Sequence, residues 1–366
     1  MRVGIIGTRG IPNYHGGFEQ FAEYFSVFLV EHGCEVFVYN SSTHPYDKNQ
    51  FKGVNIISCK DPEEKIGTAG QFIYDLNCIL DSRKRNFDIL LQLGYTSSTI
   101  WYKFLPKNAI VITNMDGLEW KRTKYSKPIQ KFLKFAEKLG VKSSDYLISD
   151  SIGIQKYLKS TYKVYSKYIA YGAELFKNPN VELLSSYNVK PGEYNMLIAR
   201  LEPENNIETI LDGVAKSSDD TVFLVVGKHD TNKFGAYLKQ KFKANHNIKF
   251  IGGIYNLEDL NNLRYYSKLY FHGHSVGGTN PSLLEAMSSG ALIIANDNEF
   301  NKSILEDNAF YFSTSGDIKR YIETINKESN RIKIDACFNK INEQFNWEII
   351  NHKYLSFFNE CISKSK

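Results

Sequence analysis

The chain has 366 residues, 42% of them hydrophobic and 23% charged, with a net charge of +5. That length is too great for one ordinary core and fits two domains of a soluble globular protein. The composition excludes a membrane-spanning helix, since no apolar run nears the roughly 18 residues required, and the apolar stretch 3–6 is too short for a signal peptide.

The predicted elements alternate between short apolar strands and amphipathic helices. In the first half, strands are expected at 3–7, 36–39, 54–58, 89–93, 110–113, 146–149 and 168–170. The first helix follows from Phe18, Phe21, Ala22, Phe25, Phe28 and Leu29, whose i, i+3, i+4, i+7 spacing makes one apolar face. Gly33 supplies its stop. Residues 176–193 lack periodicity and contain Pro179, Pro191 and Gly192, so they read as a linker. The second half starts afresh, with strands expected at 196–199, 222–226, 248–251, 269–272, 292–295 and 310–312. Unbroken apolar strands separated by helices imply parallel pairing with both sheet faces covered. The expected fold class is α/β. A Rossmann-like domain at 1–175 precedes the linker, a second one occupies 194–345, and a helix at 346–366 packs back on the first. The five cysteines, Cys34, Cys59, Cys78, Cys337 and Cys361, are scattered without C-x-x-C spacing and read as reduced cytoplasmic thiols.

Candidate chemistry gathers at the carboxyl ends of the expected strands, where open α/β sheets bind ligands. After the first strand, the loop 7–19 does not fit G-x-G-x-x-G. The pair Gly16-Gly17 nevertheless opens a helix and lets backbone N–H groups approach an anion. A merely flexible turn is the competing reading. Asp116, after the strand 110–113, is placed to take a proton from an acceptor hydroxyl. An Asx-turn before Gly117 is the alternative, and Glu119 is the fallback acid. Arg200, ending the strand 196–199, would neutralise a diphosphate leaving group, or else pair with Glu202 or Glu204. The strongest signal follows the strand 269–272. There Asn280 is a candidate N-cap and Pro281 the first helical residue, so the stretch Gly277 to Ser282, with Gly278, Thr279 and Asn280 in it, presents N–H groups at a helix N-terminus. Glu285, one turn in, would accept hydrogen bonds from ribose hydroxyls, unless it is simply an exposed helical acid. His274 reads as a donor-sugar contact and His272 as structural.

The segment 120–142 carries Lys121, Arg122, Lys124, Lys127, Lys131, Lys134, Lys138 and Lys142 against Glu137 alone. It reads as a basic amphipathic helix, Lys121 to Lys142, that meets the inner membrane surface or an anionic acceptor. A solvated helix packed on its own sheet is the competing reading. No RNA-binding motif supports nucleic acid. No Asp-x-Asp, H-E-x-x-H, G-x-S-x-G or P-loop occurs, so no metal or cofactor is expected.

Four segments carry a resemblance: 7–19, 116–122, 200–206 and 277–287, supported by Tyr171-Gly172-Ala173 and Phe345-Asn346-Trp347-Glu348. Together they resemble retaining glycosyltransferases of family 4, which have the GT-B fold, and within them the rhamnosyltransferase-like branch of bacterial surface-polysaccharide synthesis. The resemblance implies that Gly16 and Gly17 approach a donor diphosphate, that Arg200 binds it, that Glu285 holds the nucleotide ribose and that Tyr255 lines the base pocket. Gly277, Asn205 and Asp116 stand where much of the wider family has Glu, Lys and His. These departures fit the rhamnosyltransferase-like branch and shift more of the diphosphate charge onto Arg200 and the helix N-terminus.

The expected activity is metal-independent, retaining transfer of a hexose, L-rhamnose from dTDP-rhamnose, to a lipid-diphosphate-linked saccharide. The expected site is a cleft between the domains, in a cytoplasmic protein held at the inner membrane face. Alternatives are a UDP- or GDP-hexose donor, a sugar-nucleotide epimerase, a starch-type synthase, or a non-catalytic carbohydrate-binding protein.

Overall fold

The computed structural model describes residues 1–122, 124–230 and 233–365. The chain forms two compact units, one of Met1–Lys121, Tyr125–Gly172 and the chain from Trp347 onward, the other of Arg122–Lys124 and Ala173–Asn346.

The first unit holds strands β1 (Arg2–Ile6), β2 (Glu35–Ser41), β3 (Gln50–Phe51), β4 (Val54–Cys59), β5 (Ile89–Leu93), β6 (Ile110–Asn114), β7 (Tyr146–Ser149) and β8 (Lys167–Tyr168). Their order is β3-β4-β2-β1-β5-β6-β7-β8, parallel except for the edge pair β3–β4. Helices α1 (Gly17–Glu31), α2 (Glu63–Ile66), α3 (Ala69–Ser82), α4 (Lys127–Ser143) and α5 (Ile152–Tyr162) connect them. Strand β5 is buried along its whole length, as a parallel strand covered on both faces must be.

The second unit holds β9 (Tyr194–Ile198), β10 (Val222–Val226), β11 (Ile248–Gly252), β12 (Tyr270–His272), β13 (Ile293–Asn296) and β14 (Phe310–Phe312), in the order β11-β10-β9-β12-β13-β14 and all parallel. Its helices are α6 (Ile207–Lys216), α7 (Lys233–Lys241), α8 (Leu257–Tyr266), α9 (Pro281–Ser288), α10 (Glu299–Leu305), α11 (Ser315–Thr324) and α12 (Arg331–Lys340). One apolar core, including Leu197, Ile210, Phe223, Phe271 and Ile294, joins this sheet to its helices.

The last helix, α13 (Trp347–Ser365), belongs to the first unit. It meets the buried face of α1 through rings: Phe21 with Tyr354 at 4.7 Å, Phe25 with Phe358 at 5.5 Å, and Tyr24 stacked on Trp347 at 4.8 Å. Each such pair adds about 0.5–1.5 kcal/mol beyond area burial, which gives the phenylalanine spacing of α1 its partner. A Cβ on Gly172 would lie 2.6 Å from the Trp347 ring, so glycine admits the indole there.

Three features differ from the sequence expectation. Residues 176–193 include a 3-10 helix, Val181–Tyr187, started by the Asn180 side chain and fastened to α8 by Tyr187 Oη donating to Asp259 at 2.7 Å. The two-residue strand β3 was not expected, because so short an edge pair has no periodicity to read. The basic segment is not one helix from Lys121 to Lys142. Trp120 and Lys121 sit in a 3-10 turn, Glu119–Lys121, and α4 begins at Lys127 with Pro128 in its first turn. Proline is favoured there because its missing N–H has no helical partner to lose. Thr123, inside that segment, lies outside the described residues. Glu137 does not balance the lysines on the solvent face, since its side chain points inward and is buried. Among the described residues, no helix is long and apolar enough to cross a membrane.

Candidate functional site

In the second sheet the strand order reverses between β9 and β12, which pair in parallel with Tyr270 opposite Met196 and Phe271 opposite Leu197. A crevice forms at the carboxyl ends of two such strands because their outgoing loops diverge. Arg200 follows β9 and the turn 273–280 follows β12, so the structure brings these two predicted features together. The loops are laced: Ser275 N and Oγ donate to Glu204 O at 3.2 and 2.7 Å, and Asn206 Nδ2 donates to Gly273 O at 2.8 Å. A Cβ on Gly273 would meet Asn205 O at 2.0 Å, so only glycine allows the approach. Asn205 is buried and donates to Arg200 O at 2.7 Å. It braces the Arg200 backbone while the guanidinium stays exposed.

Helix α9 begins as its residues require. Asn280 Oδ1 accepts from Ser282 N at 2.9 Å, and Pro281 occupies the first helical position. Gly277 takes φ +138° with open space where a Cβ would be. Gly278 is half-buried and Thr279 buried. The His274 carbonyl accepts from Asn298 and Asn301 Nδ2 at 3.0 and 3.1 Å, which fixes the turn. The His274 ring stacks on His272 with centroids 4.4 Å apart. Burial, with Arg200 and Arg122 as neighbouring cations, lowers the His274 pKa to about 3, and burial holds His272 well below the ordinary range. Both rings are therefore neutral at working pH, and His274 offers a neutral imidazole rather than a charge.

Glu285 is not an exposed acid. Arg264 Nη2 donates to its Oε2 at 2.6 Å and to Ser282 Oγ at 3.2 Å, while Arg264 Nη1 donates to Asn261 Oδ1 at 3.0 Å. The guanidinium is 1% exposed and lies 5.9 Å from the Tyr270 ring centroid. It fixes the direction of the carboxylate from the buried side. The sequence reading missed Arg264, which lies in the stretch 260–264 with no motif around it. The one available signal was Asn261 and Arg264 at i, i+3, each directly after a leucine, Leu260 and Leu263. Tyr255 follows the edge strand β11, is 69% exposed, and stands over Lys228 Nζ at 5.4 Å.

In the first unit the order reverses between β1 and β5. The loop after β1 is pinned from inside: Asn40 clamps both Ile11 N and Ile11 O, at 3.1 and 2.8 Å, and Thr8 Oγ1 accepts from Gly10 N at 2.6 Å. Asn13 Oδ1 accepts from His15 N and Gly16 N at 2.9 and 3.2 Å. Gly16 is the N-cap of α1 and Gly17 its first residue. Glu19, buried in the first turn, accepts from Arg9 N at 2.8 Å, and the Arg9 guanidinium reaches Asp61 at 3.4 Å and also Glu63.

Near this loop lies Asp75, fully buried, accepting from Ser97 Oγ at 2.5 Å and pushed up to about 7 by burial. A carboxyl whose folded pKa exceeds its unfolded value favours folding at low pH and loses that advantage as pH rises through the folded value. Stability is thus expected to fall between about pH 4 and 7 by roughly 3–4 kcal/mol from this group. Asp75→Asn should flatten that slope and raise the melting temperature above pH 7, read from thermal melts across pH.

Asp116 follows β6 and is half-buried. Its loop hangs on two aromatic donors. Tyr95 Oη donates to Gly117 O at 3.2 Å, and Trp120 Nε1 donates to Glu137 Oε2 at 3.0 Å. Glu137 also accepts from Tyr157 and Tyr162 Oη at 2.7 and 2.6 Å. Glu137→Ala would leave those donors without an acceptor and is expected to cost ~3 kcal/mol, seen as a lower melting temperature and an altered Trp120 emission.

Residues 187–335 match the family described as "Glycosyl transferases group 1", and residues 1–174 match one described as "Domain of unknown function (DUF1972)". No curated protein matches the chain. Among solved structures, the chain is similar to sucrose-phosphate synthase from Thermosynechococcus elongatus (16% identity, 99% of each chain covered, TM-score 0.80). It is also similar to HepE of Anabaena in complex with UDP and glucose (14% identity, 98% of this chain and 99% of that one, TM-score 0.75). A third is WaaG, a glycosyltransferase involved in lipopolysaccharide biosynthesis (11% identity, 96% and 98% covered, TM-score 0.67). Residues 187–335 thus resemble a group 1 glycosyltransferase domain, and the chain as a whole has the GT-B fold of two Rossmann-like units.

Proposed function

We propose that the protein is a retaining, metal-independent hexosyltransferase of the family 4 type, which moves L-rhamnose from dTDP-rhamnose to a hydroxyl of a lipid-diphosphate-linked saccharide at the inner face of the cell membrane. The observation that carries this reading is the joining of the Arg200 loop to the loop after β12, which runs on into the Gly277–Asn280 turn, where the second sheet reverses, with a Glu285 aimed by Arg264 one helical turn further on. Backbone amides and a guanidinium suit a diphosphate, and a fixed carboxylate suits a ribose diol.

In the reaction, the bond from the anomeric carbon to the diphosphate oxygen breaks while the acceptor oxygen attacks from the same face. Arg200 and the α9 N-terminus stabilise the negative charge that grows on the diphosphate. His274, neutral, holds a hydroxyl of the donor sugar. The acceptor proton passes to the departing phosphate oxygen. Tyr255 flanks the base.

The test is a panel of dTDP-, UDP- and GDP-sugars with a lipid-diphosphate GlcNAc acceptor, with and without EDTA, and with NMR of the product anomer. Transfer from dTDP-rhamnose with retention and no loss in EDTA supports the proposal. Transfer from a UDP- or GDP-hexose alone replaces the donor. Acceptor-free interconversion of sugars would make the protein an epimerase, and absence of nucleotide-sugar binding would make it non-catalytic.

A further inference from the structure

The first unit has an apolar surface that no single element reveals. On α3, Ile73 and Leu80 stand outward one heptad apart; on α4, Ile129, Phe132 and Phe135 stand outward at three-residue spacing; Phe104 joins them from the 3-10 helix Thr99–Phe104. All six are between 36% and 54% exposed. The three elements abut. The Phe72 and Phe132 rings lie 5.7 Å apart, and Trp101 Nε1 donates to Phe72 O at 2.8 Å.

Charge on this face has one dominant sign. Lys127, Lys131, Lys134, Lys138 and Lys142 of α4 are all exposed, and the one acid of that helix, Glu137, is buried on its inner side. Arg83 and Lys84 extend the cationic rim past Leu80, and Lys103 does so beside Phe104. A surface for a protein partner is depleted in lysine at its centre. Outward aromatic and aliphatic side chains interleaved with lysines instead match the boundary of a bilayer carrying anionic headgroups, where the apolar groups enter the acyl region and the cations meet phosphates.

We propose that α3, the 3-10 helix and α4 form a docking face for an anionic lipid bilayer, with Phe132 and Phe135 as its inserted anchors. This deepens the reading of a lipid-linked acceptor and rests on it for its purpose. Helix α4 also carries the Asp116 loop through Glu137 and Trp120, so docking would set that loop close to the headgroup layer from which such an acceptor is drawn.

The full chain would be sedimented with vesicles of phosphatidylcholine alone and with 30% phosphatidylglycerol, at low and high salt. The expected result is binding to the anionic vesicles only, weakened by salt. Phe132→Asp/Phe135→Asp should weaken it at least tenfold, and Lys131→Glu/Lys138→Glu should weaken it and remove its salt dependence. Melting temperature and donor hydrolysis without vesicles should stay at wild-type values in both variants, which separates this test from that of the transfer reaction. Wild-type protein that ignores anionic vesicles overturns the proposal. So does a Phe132→Asp/Phe135→Asp variant that binds them normally, or one that merely converts a dimer to a monomer.

Discussion

Arg200→Ala is expected to lower the rate of glycosyl transfer about 10²–10³-fold with every nucleotide sugar the enzyme accepts, a loss of roughly 3–4 kcal/mol of transition-state stabilisation. The reasoning is electrostatic. As the anomeric bond breaks, the diphosphate gains negative charge, and groups already aimed at it stabilise the transition state more than the ground state. Arg200 stands at the carboxyl end of β9, and its backbone is held by Asn205 Nδ2 and Glu202 N on Arg200 O at 2.7 and 2.8 Å. The position is thus fixed by the loop rather than by the side chain. Its exposed guanidinium supports no packing, so the melting temperature should not move. Arg200→Lys should recover only part of the rate, because an ammonium cannot fork across two phosphate oxygens. Initial rates at saturating donor, together with donor KM, read the result. An unchanged rate would mean that the amides of the Gly277–Asn280 turn suffice and that Arg200 has no part in the chemistry.

The start of α9 was legible because it is local in sequence. Asn280, Pro281 and the glycines before them specify a capped helix start within a few residues, and the backbone answers as those residue types demand. Strand assignment was similarly direct, since buried parallel strands such as β5 and β10 are short apolar runs. What escaped is what folding assembles from distant positions. Arg264 lies 21 residues from Glu285 along the chain, and nothing in 261–264 marks it as buried. The fate of Glu137 shows the same limit. Charge counting showed it only as the one acid among the lysines, whereas the tyrosines and the indole that receive it come from α5 and the Asp116 loop. The apolar face on α3 and α4 was half visible, because the lysines of α4 form a run while its partner side chains on α3 lie some 50 residues earlier.

Replacing Arg264 by methionine should strongly lower the stability of the second unit. The guanidinium is nearly inaccessible, and Glu285 is its charged partner at 2.6 Å. Deleting one member of a buried ion pair strands the other, at a cost of about 3–5 kcal/mol, whereas replacing both is far less damaging. Arg264→Met is therefore expected to lower the midpoint of urea unfolding sharply, and Arg264→Met/Glu285→Gln to recover much of that loss. A double-mutant cycle on unfolding free energies should give a coupling well above ~1 kcal/mol, the upper range for exposed pairs. Function should separate from stability in the same variants. Arg264 holds Glu285 from the buried side, and in the proposed site Glu285 holds the ribose, so the double variant, though folded, should bind nucleotide sugar and free nucleoside diphosphate alike at least tenfold more weakly. Arg264→Lys should restore part of the affinity, since an ammonium can reach Glu285 but cannot also fork to Asn261 and Ser282. If the double variant binds nucleotide as tightly as wild type, the pair is structural only, and the ribose is held by other groups.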